Sequence, residues 1–135
     1  MQPDCPTRIQ SESNMSQTDA HSSVDLMFRA FSDRTRLRVL CLLRKQEFCV
    51  GDMVDILQLP QPRISRHLAY LRKAALVTVR KSGLWCYYSL APTQTPFHRK
   101  LLSCLANCFS EVPQIQTDLA RAAEIKNLGG CCPPS

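Results

Sequence analysis

One segment of the chain, GDMVDILQLPQPRISRHLAYLRKAALV followed by a basic hairpin pattern, restricts the fold more than any other feature. It begins with a short apolar helix and continues through a turn that contains two prolines. A second helix follows, with Ile64, Leu68 and Leu71 at helical spacing, which predicts a buried face. Two short helices followed by a hairpin predict a winged helix-turn-helix, a mainly α fold with a small β-hairpin wing.

The other face of the second helix carries side chains suited to reading DNA. Arginine can pair bidentately with guanine edges or phosphate, and serine and glutamine can hydrogen-bond bases or backbone. The polar residues at these positions are Gln61, Arg63, Ser65, Arg66 and His67. The pattern therefore predicts that this helix contacts DNA.

Positive charge is concentrated on the same part of the chain. The net charge is +6, yet residues 56–110 contain no Asp or Glu and eight Lys or Arg residues. Arg80 and Lys81 lie on the predicted hairpin, where neutralising phosphates and releasing counterions would generate affinity. An ordinary solvated basic face is the alternative interpretation.

Composition limits the class of protein. With 135 residues and 44% hydrophobic content, the composition predicts one small domain, which would gain stability from covering its apolar helices by dimerisation.

No apolar run approaches the roughly 20 residues of a membrane span, and the N-terminus lacks a secretory signal pattern, so we expect a cytoplasmic protein without a membrane partner. No oriented nucleophile and base, paired carboxylates or glycine-rich phosphate loop is evident, which predicts neither an enzyme nor an organic cofactor.

The chain divides into three predicted parts. Residues 1–22 are polar and rich in Ser and Gln, as expected for a disordered N-terminal arm. Residues 23–127 form the predicted DNA-binding and dimerisation domain, with Ser23 and Asp33 as helix caps. Residues 128–135 form a flexible Cys/Pro tail.

Within the predicted domain, a short link at residues 48–50 leads into the third helix. The hairpin strands meet at Ser82 and Gly83, a turn chemistry that permits positive φ. A fifth helix is expected over residues 96–110, and a sixth over residues 113–126.

The motifs SDRTRLRVL, SRHLAYLRKAALV and the hairpin pattern G-x-W-x-Y-Y-x-L resemble the ArsR/SmtB family of metal-sensing and redox-sensing bacterial repressors. The resemblance covers residues from about 26 to 90. It implies a homodimer built from the first and fifth helices, a palindromic double-stranded DNA operator, and release of DNA when an inducer binds. It also implies DNA contacts at Gln61, Pro62, Ser65 and Arg66, to which this sequence adds Arg63 and in which Pro62 replaces the commoner serine.

The inducer sites typical of this family are incomplete here. Arsenite repressors carry a motif similar to ELCVCDLC at the start of the third helix, and the matching residues here are EFCVGDMV. Cys49 is retained, and Gly51 and Val54 stand in place of the other two cysteines. The zinc pattern of the fifth helix needs Asp and His pairs, but that helix has only His98. A cadmium or lead site shared with the N-terminal arm would have only Cys5 and Cys49.

The remaining cysteines suggest a different thiolate cluster. In a reducing cytosol, the eight cysteines are expected to be thiols, metal ligands or redox sensors. Cys104 and Cys108 share one face of the fifth helix, and Cys86 lies on the strand that leads into it. Soft thiolates select soft ions, so we predict that trivalent arsenic or antimony is the inducer and is bound by these three residues. The alternative is a persulfide or redox sensor in which Cys41, otherwise a core residue, pairs with Cys104 or Cys108.

Overall fold

The computed structural model describes residues 19–107 and 111–129. The predicted arm up to residue 18, Cys108 and the cysteines of the C-terminal tail lie outside these ranges. In order, the helices and strands are α1 (Asp19–Phe31), α2 (Arg34–Leu43), β1 (Phe48–Cys49), α3 (Val50–Leu57), α4 (Gln61–Lys73), β2 (Val77–Ser82), β3 (Trp85–Leu90), α5 (Pro96–Asn107) and α6 (Pro113–Asn127).

The sequence predicted the start of α2 correctly, but it did not predict the start of α1 correctly. Asp33 caps α2 as expected, because its side chain accepts a 3.0 Å hydrogen bond from the backbone N–H of Arg36. α1 begins at Asp19, four residues before the predicted cap Ser23. Ser23 therefore lies within α1 and not at its cap, because serine is tolerated inside a helix at a small cost in propensity.

The helices α3 and α4 form the helix-turn-helix. α3 ends at Leu57, and its C-cap residue Gln58 adopts the left-handed conformation with φ 59°. α4 begins at Gln61, directly after its N-cap residue Pro60. Ile64, Leu68 and Leu71 are all buried, which confirms the predicted inner face of α4. Burial of that stripe leaves the opposite, arginine-bearing face of α4 towards solvent.

The wing, defined as β2, β3 and their connecting turn, belongs to a three-stranded antiparallel sheet with strand order β1-β3-β2. Gly83 in the turn has φ +64°, as the turn chemistry predicts. β1 was expected to be only a link, but Phe48 pairs with Tyr88 and Cys49 with Tyr87. A strand of two residues is too short to show the alternation of apolar and polar residues that indicates a strand in a sequence. β1 is therefore recognised only from its pairing with β3.

The core lies between α2, α3, α4 and the sheet. Leu40, Phe48, Met53, Ile64 and Leu76 are among its fully buried side chains. α6 packs on α2 and α3 and α5 packs on α2. None of the helices in the described ranges is long and apolar enough to cross a membrane.

Candidate nucleic-acid interface and inducer site

The beginning of α4 combines exposed arginines with uncapped backbone. Arg63 and Arg66 are exposed, as is Pro62, and Gln61 is half-buried. The first turn contains no acidic residue, and Pro60 provides no side-chain hydrogen bond to the helix N-terminus. This end of α4 therefore offers cationic side chains and the positive end of the helix dipole to an anion such as phosphate.

His67 lies further along α4 and contacts α2 as well as solvent. Its Nδ1 is 3.4 Å from Nη1 of Arg36, and it is half-buried. Burial is the main cause that lowers the His67 pKa; the charges of Arg36, Arg63 and Arg66 lower it further, while Asp33 opposes them. A neutral imidazole can accept the Arg36 hydrogen bond, so α2 positions this residue.

Arg36 connects three helices and was not among the predicted functional residues. Its guanidinium donates to the carbonyl oxygens of Arg29 and Ala30 at the end of α1, at 2.9 and 3.2 Å. It also lies 4.1 Å from the ring centroid of Tyr70 on α4. Helical spacing cannot reveal these partners, because they come from other elements of the fold. Arg36 therefore orients α4 relative to α1 and α2.

Ser65 has a different environment from the neighbouring arginines. The residue is half-buried, and its Oγ is buried without a hydrogen-bond partner in the described part of the chain. Contact between this hydroxyl and a DNA base would require a change of its rotamer or of its surroundings. The contact predicted for Ser65 stays a prediction.

The two predicted wing residues also differ. The exposed guanidinium of Arg80 donates to both carboxylate oxygens of Glu47, at 2.6 and 3.1 Å, and lies 4.7 Å from the Tyr87 ring centroid. These hydrogen bonds are the main cause that lowers the pKa of Glu47. An exposed ion pair adds little stability, but it directs Arg80 towards the strand before α3. Lys81 is exposed beside it.

The four cysteines with described side chains fall into two chemical states. Cys41 and Cys104 are thiols. Cys49 and Cys86 are each disulfide-bonded, so these two residues are neither the thiols nor the metal ligands that were expected for a reducing cytosol. That expectation rested on the redox compartment, whereas pairing also depends on which sulfur atoms the fold brings together.

The predicted inducer ligands lie on different elements. Cys86 is 1% exposed on β3 and belongs to the main core cluster, while Cys104 is half-buried on α5. Cys108, the third predicted ligand, follows α5 outside the described residues. The described side chains include no group of three or more His, Cys, Asp or Glu residues that could hold a metal ion. The described residues do not by themselves complete a three-sulfur site.

Cys41 has the properties of a core residue. It is 3% exposed on α2, within the main hydrophobic cluster. Burial raises the pKa of its thiol to about 11, against the lowering effect of Arg44. Since the thiolate is the nucleophile and the metal ligand, only a very small fraction of Cys41 is in the reactive form at neutral pH.

A helix-turn-helix with exposed arginines, followed by a β-hairpin, defines the winged helix-turn-helix class of DNA-binding regulators. The chain belongs to the arsR family of bacterial regulatory proteins, whose sequence profile matches residues 33–79. It is 39% identical to the arsenical resistance operon repressor of Escherichia coli, over 76% of this chain and 92% of that protein. It is 36% identical to the arsenic resistance transcriptional regulator ArsR1 of Pseudomonas putida, over 74% of this chain and 77% of that protein.

A solved structure confirms the fold. Reduced HlyU from Vibrio cholerae superposes with a TM-score of 0.59 at 26% identity, covering 70% of this chain and 96% of that chain. The family and these relatives are transcriptional regulators. The chain is therefore a DNA-binding transcriptional repressor of the arsR family and not an enzyme.

Proposed function

We propose that this repressor releases its operator when a trivalent arsenical or antimonite binds thiolates of Cys86, Cys104 and Cys108. The similarity to an arsenical resistance operon repressor over 92% of that protein's length carries the proposal. The cysteine content agrees with it, because trivalent arsenic and antimony are soft and prefer sulfur ligands. Three sulfurs would bind inorganic arsenite or antimonite, and two would suffice for a methylated arsenical.

The ligands are assigned to β3 and α5 because α3 lacks the necessary residues. Cys49 at its N-cap is followed by Gly51 and Val54, which have no ligand atoms in their side chains. Cys104 carries a half-buried thiol on α5, within reach of a small solute. Cys86 has to be reduced before it can act as a ligand, because only a thiolate binds the ion.

The signal would pass from α5 to the reading helix, our name for α4, through α2. α5 packs on α2, and Arg36 on α2 contacts both His67 and Tyr70 of α4. An ion that draws α5 towards β3 would shift this contact set and change the angle at which Arg63 and Arg66 meet DNA. Release follows if the bound ion stabilises the shifted arrangement more than the DNA-binding one.

The active repressor is proposed to be a homodimer formed through α1 and α5, bound to a palindromic double-stranded operator. Phe28 on α1 is 55% exposed and makes an edge-to-face contact with Phe97 on α5, with ring centroids 5.3 Å apart. An exposed phenylalanine at the meeting point of two helices is expensive to leave in water. A second copy of the chain would cover it and place two reading helices about one DNA turn apart.

A DNA-release assay tests the inducer. Chain reduced with a phosphine, which adds no competing thiol, is bound to fluorescent operator DNA and titrated with arsenite, methylarsenite, antimonite and zinc. We expect release by the arsenicals and antimonite in the wild type, and retained DNA binding without release in Cys86→Ser and Cys104→Ser. Cys108→Ser should lose the response to arsenite and keep the response to methylarsenite. Arsenite release that survives all three substitutions contradicts the proposed site.

A persulfide or redox sensor using Cys41 with Cys104 or Cys108 is the second candidate. The name of one structural relative, reduced HlyU, draws attention to redox state in that protein. The high pKa of Cys41, about 11, opposes this candidate, since the attacking sulfur must be a thiolate. In the same assay, release by persulfide but not by arsenite, blocked by Cys41→Ser, would establish the redox sensor instead.

A further inference from the structure

The side chain of Arg80 on β2 extends across β3 to Glu47, which directly precedes β1. Arg80 is the register partner of Tyr87 on β3, and Tyr87 is in turn the register partner of Cys49 on β1. Neighbouring strands lie about 4.8 Å apart, so the guanidinium crosses β3 to reach the carboxylate on its far side. Cζ of Arg80 lies 4.7 Å from the ring centroid of Tyr87. Arg80 is therefore folded inwards over the sheet and not outwards from β2.

The Glu47 carboxylate occupies one edge of the Arg80 guanidinium. Nε donates to one carboxylate oxygen at 3.1 Å, and Nη2 donates to the other at 2.6 Å. A phosphate group binds arginine through the same fork of two parallel N–H donors. A phosphate and the Glu47 carboxylate therefore cannot both bind this edge.

The charge of Glu47 also opposes phosphate. Hydrogen bonds from Arg80 are the main cause that lowers the pKa of Glu47; burial opposes them, and the charge of Lys126 lowers the pKa further. The carboxylate is thus ionised at neutral pH, and the Arg80–Glu47 pair is electrically neutral. Sequence-independent affinity for DNA comes from cations that neutralise phosphates and so release counterions, and a neutral pair contributes little to it.

We propose that Glu47 competes with DNA phosphate for Arg80, and thereby lowers the affinity of the wing for DNA of any sequence. Residues 56–110 contain no Asp or Glu, so this carboxylate comes to the wing from another segment, which the pairing of β1 with β3 brings there. Lys81, which is exposed, then provides the phosphate binding of the wing. The proposal rests on contact between the wing and DNA, which is part of the predicted interface.

A double-mutant cycle on Glu47 and Arg80 tests the competition. Wild type, Glu47→Gln, Arg80→Gln and the double variant are titrated with fluorescent operator DNA and with scrambled DNA at several salt concentrations. Glu47→Gln should tighten binding to both DNAs by roughly three- to tenfold at about 0.1 M salt, and should steepen log affinity plotted against log salt concentration. Arg80→Gln should change affinity by less than about twofold in the wild type, but it should cancel the gain in the Glu47→Gln background.

Glu124→Gln is the matched control, because it removes the same charge from an exposed position on α6. Glu124 lies two positions before Lys126, whose Nζ is 5.3 Å from the ring centroid of Phe48, so Glu124 points away from β1. This control should leave both affinities unchanged. Because an exposed ion pair adds little stability, every variant should remain folded, which urea unfolding verifies.

Two outcomes would overturn the competition while leaving the wing at the DNA. If Glu47→Gln weakens binding, Glu47 instead holds Arg80 in position for DNA. If Glu47→Gln has no effect while Lys81→Ala weakens binding, the wing meets DNA without this competition. Unchanged affinity in Glu47→Gln and Lys81→Ala alike would remove the wing from the interface, and the proposal with it. The titrations contain no arsenical, so their result does not depend on the identity of the inducer.

Discussion

The carboxylate of Asp118 on α6 accepts hydrogen bonds from Nε and Nη2 of Arg38 on α2, at 2.8 and 2.9 Å. The two side chains are 2% and 12% exposed. Nη2 also donates to the carbonyl oxygen of Leu57 at 2.9 Å, at the end of α3. One ion pair thus joins α2, α3 and α6 directly before the turn that leads into the reading helix.

Removing the charge of Asp118 should destabilise the fold strongly. Asp118→Asn leaves the largely buried side chain of Arg38 without its counter-ion, and breaking a buried pair in this way costs up to about 3–5 kcal/mol. Urea unfolding followed by Trp85 fluorescence measures the loss. Asp55→Asn, an exposed control, should change the free energy of unfolding by less than about 0.5 kcal/mol. Equal stability of the two variants would show that α6 is not held by this pair.

The reading helix and the wing should contribute differently to DNA binding. If Arg66 meets a base edge, Arg66→Ala should cost roughly 1–3 kcal/mol on the operator and little on scrambled DNA. Lys81→Ala should weaken binding to both sequences alike. It should also reduce the steepness of log affinity plotted against log salt concentration by about one. Fluorescence anisotropy at several salt concentrations measures both effects. Unchanged operator affinity in both variants would contradict the assigned interface.

The exposed Phe28 provides a test of assembly. Sedimentation velocity should give a species of about twice 15.3 kDa, and Phe28→Ser should shift it towards the monomer because it removes apolar contact area. Leu84→Ser is the matched control, because Leu84 is 81% exposed but lies in the wing turn. A monomeric wild type that binds a palindromic operator tightly would contradict a dimer through α1 and α5.

Cys41 should react slowly with alkylating agents. With a pKa of about 11, roughly 0.1% of the thiol is ionised at pH 8. In reduced Cys108→Ser chain, iodoacetamide should modify peptide 39–44 at least about 100-fold more slowly than peptide 101–121, which carries the half-buried Cys104. In urea the two rates should converge. Similar rates in the folded chain would favour the redox candidate.

Acidification should weaken the fold through His67, which is half-buried, and His98, which is buried. Burial lowers the pKa of both His67 and His98, so the unfolded chain takes up protons first as the pH falls. Their contribution is complete above the unfolded value of about 6.5 and decreases below it, by at most about 1.4 kcal/mol per histidine at pH 5.5. Urea unfolding at pH 7.5 and 5.5 measures this. The decrease in the free energy of unfolding between pH 7.5 and 5.5 should be smaller in His67→Gln/His98→Gln. An equal decrease in this variant and in the wild type would show that other groups cause it.

Much of the fold and part of the interface follow from the sequence because they depend on local patterns. The stripe of Ile64, Leu68 and Leu71 specifies which face of α4 is buried, and therefore which face presents Arg63 and Arg66. Gly83 and the prolines mark turns for steric reasons that act within a few residues. Asp33 caps α2 by a hydrogen bond to a residue three positions away.

The remaining features depend on contacts between distant parts of the chain, which no local period encodes. β1 exists only because β3 pairs with it, and the roles of Arg36, Arg38 and Asp118 depend on helices far away in sequence. The pKa of Cys41 is raised by burial among residues of several elements, and the disulfides of Cys49 and Cys86 depend on which sulfurs meet in space. Residue type and spacing determined the DNA-binding class of this protein. Tertiary packing decided which of its cysteines remain reactive, since a thiol's chemistry depends on its solvation and its neighbours.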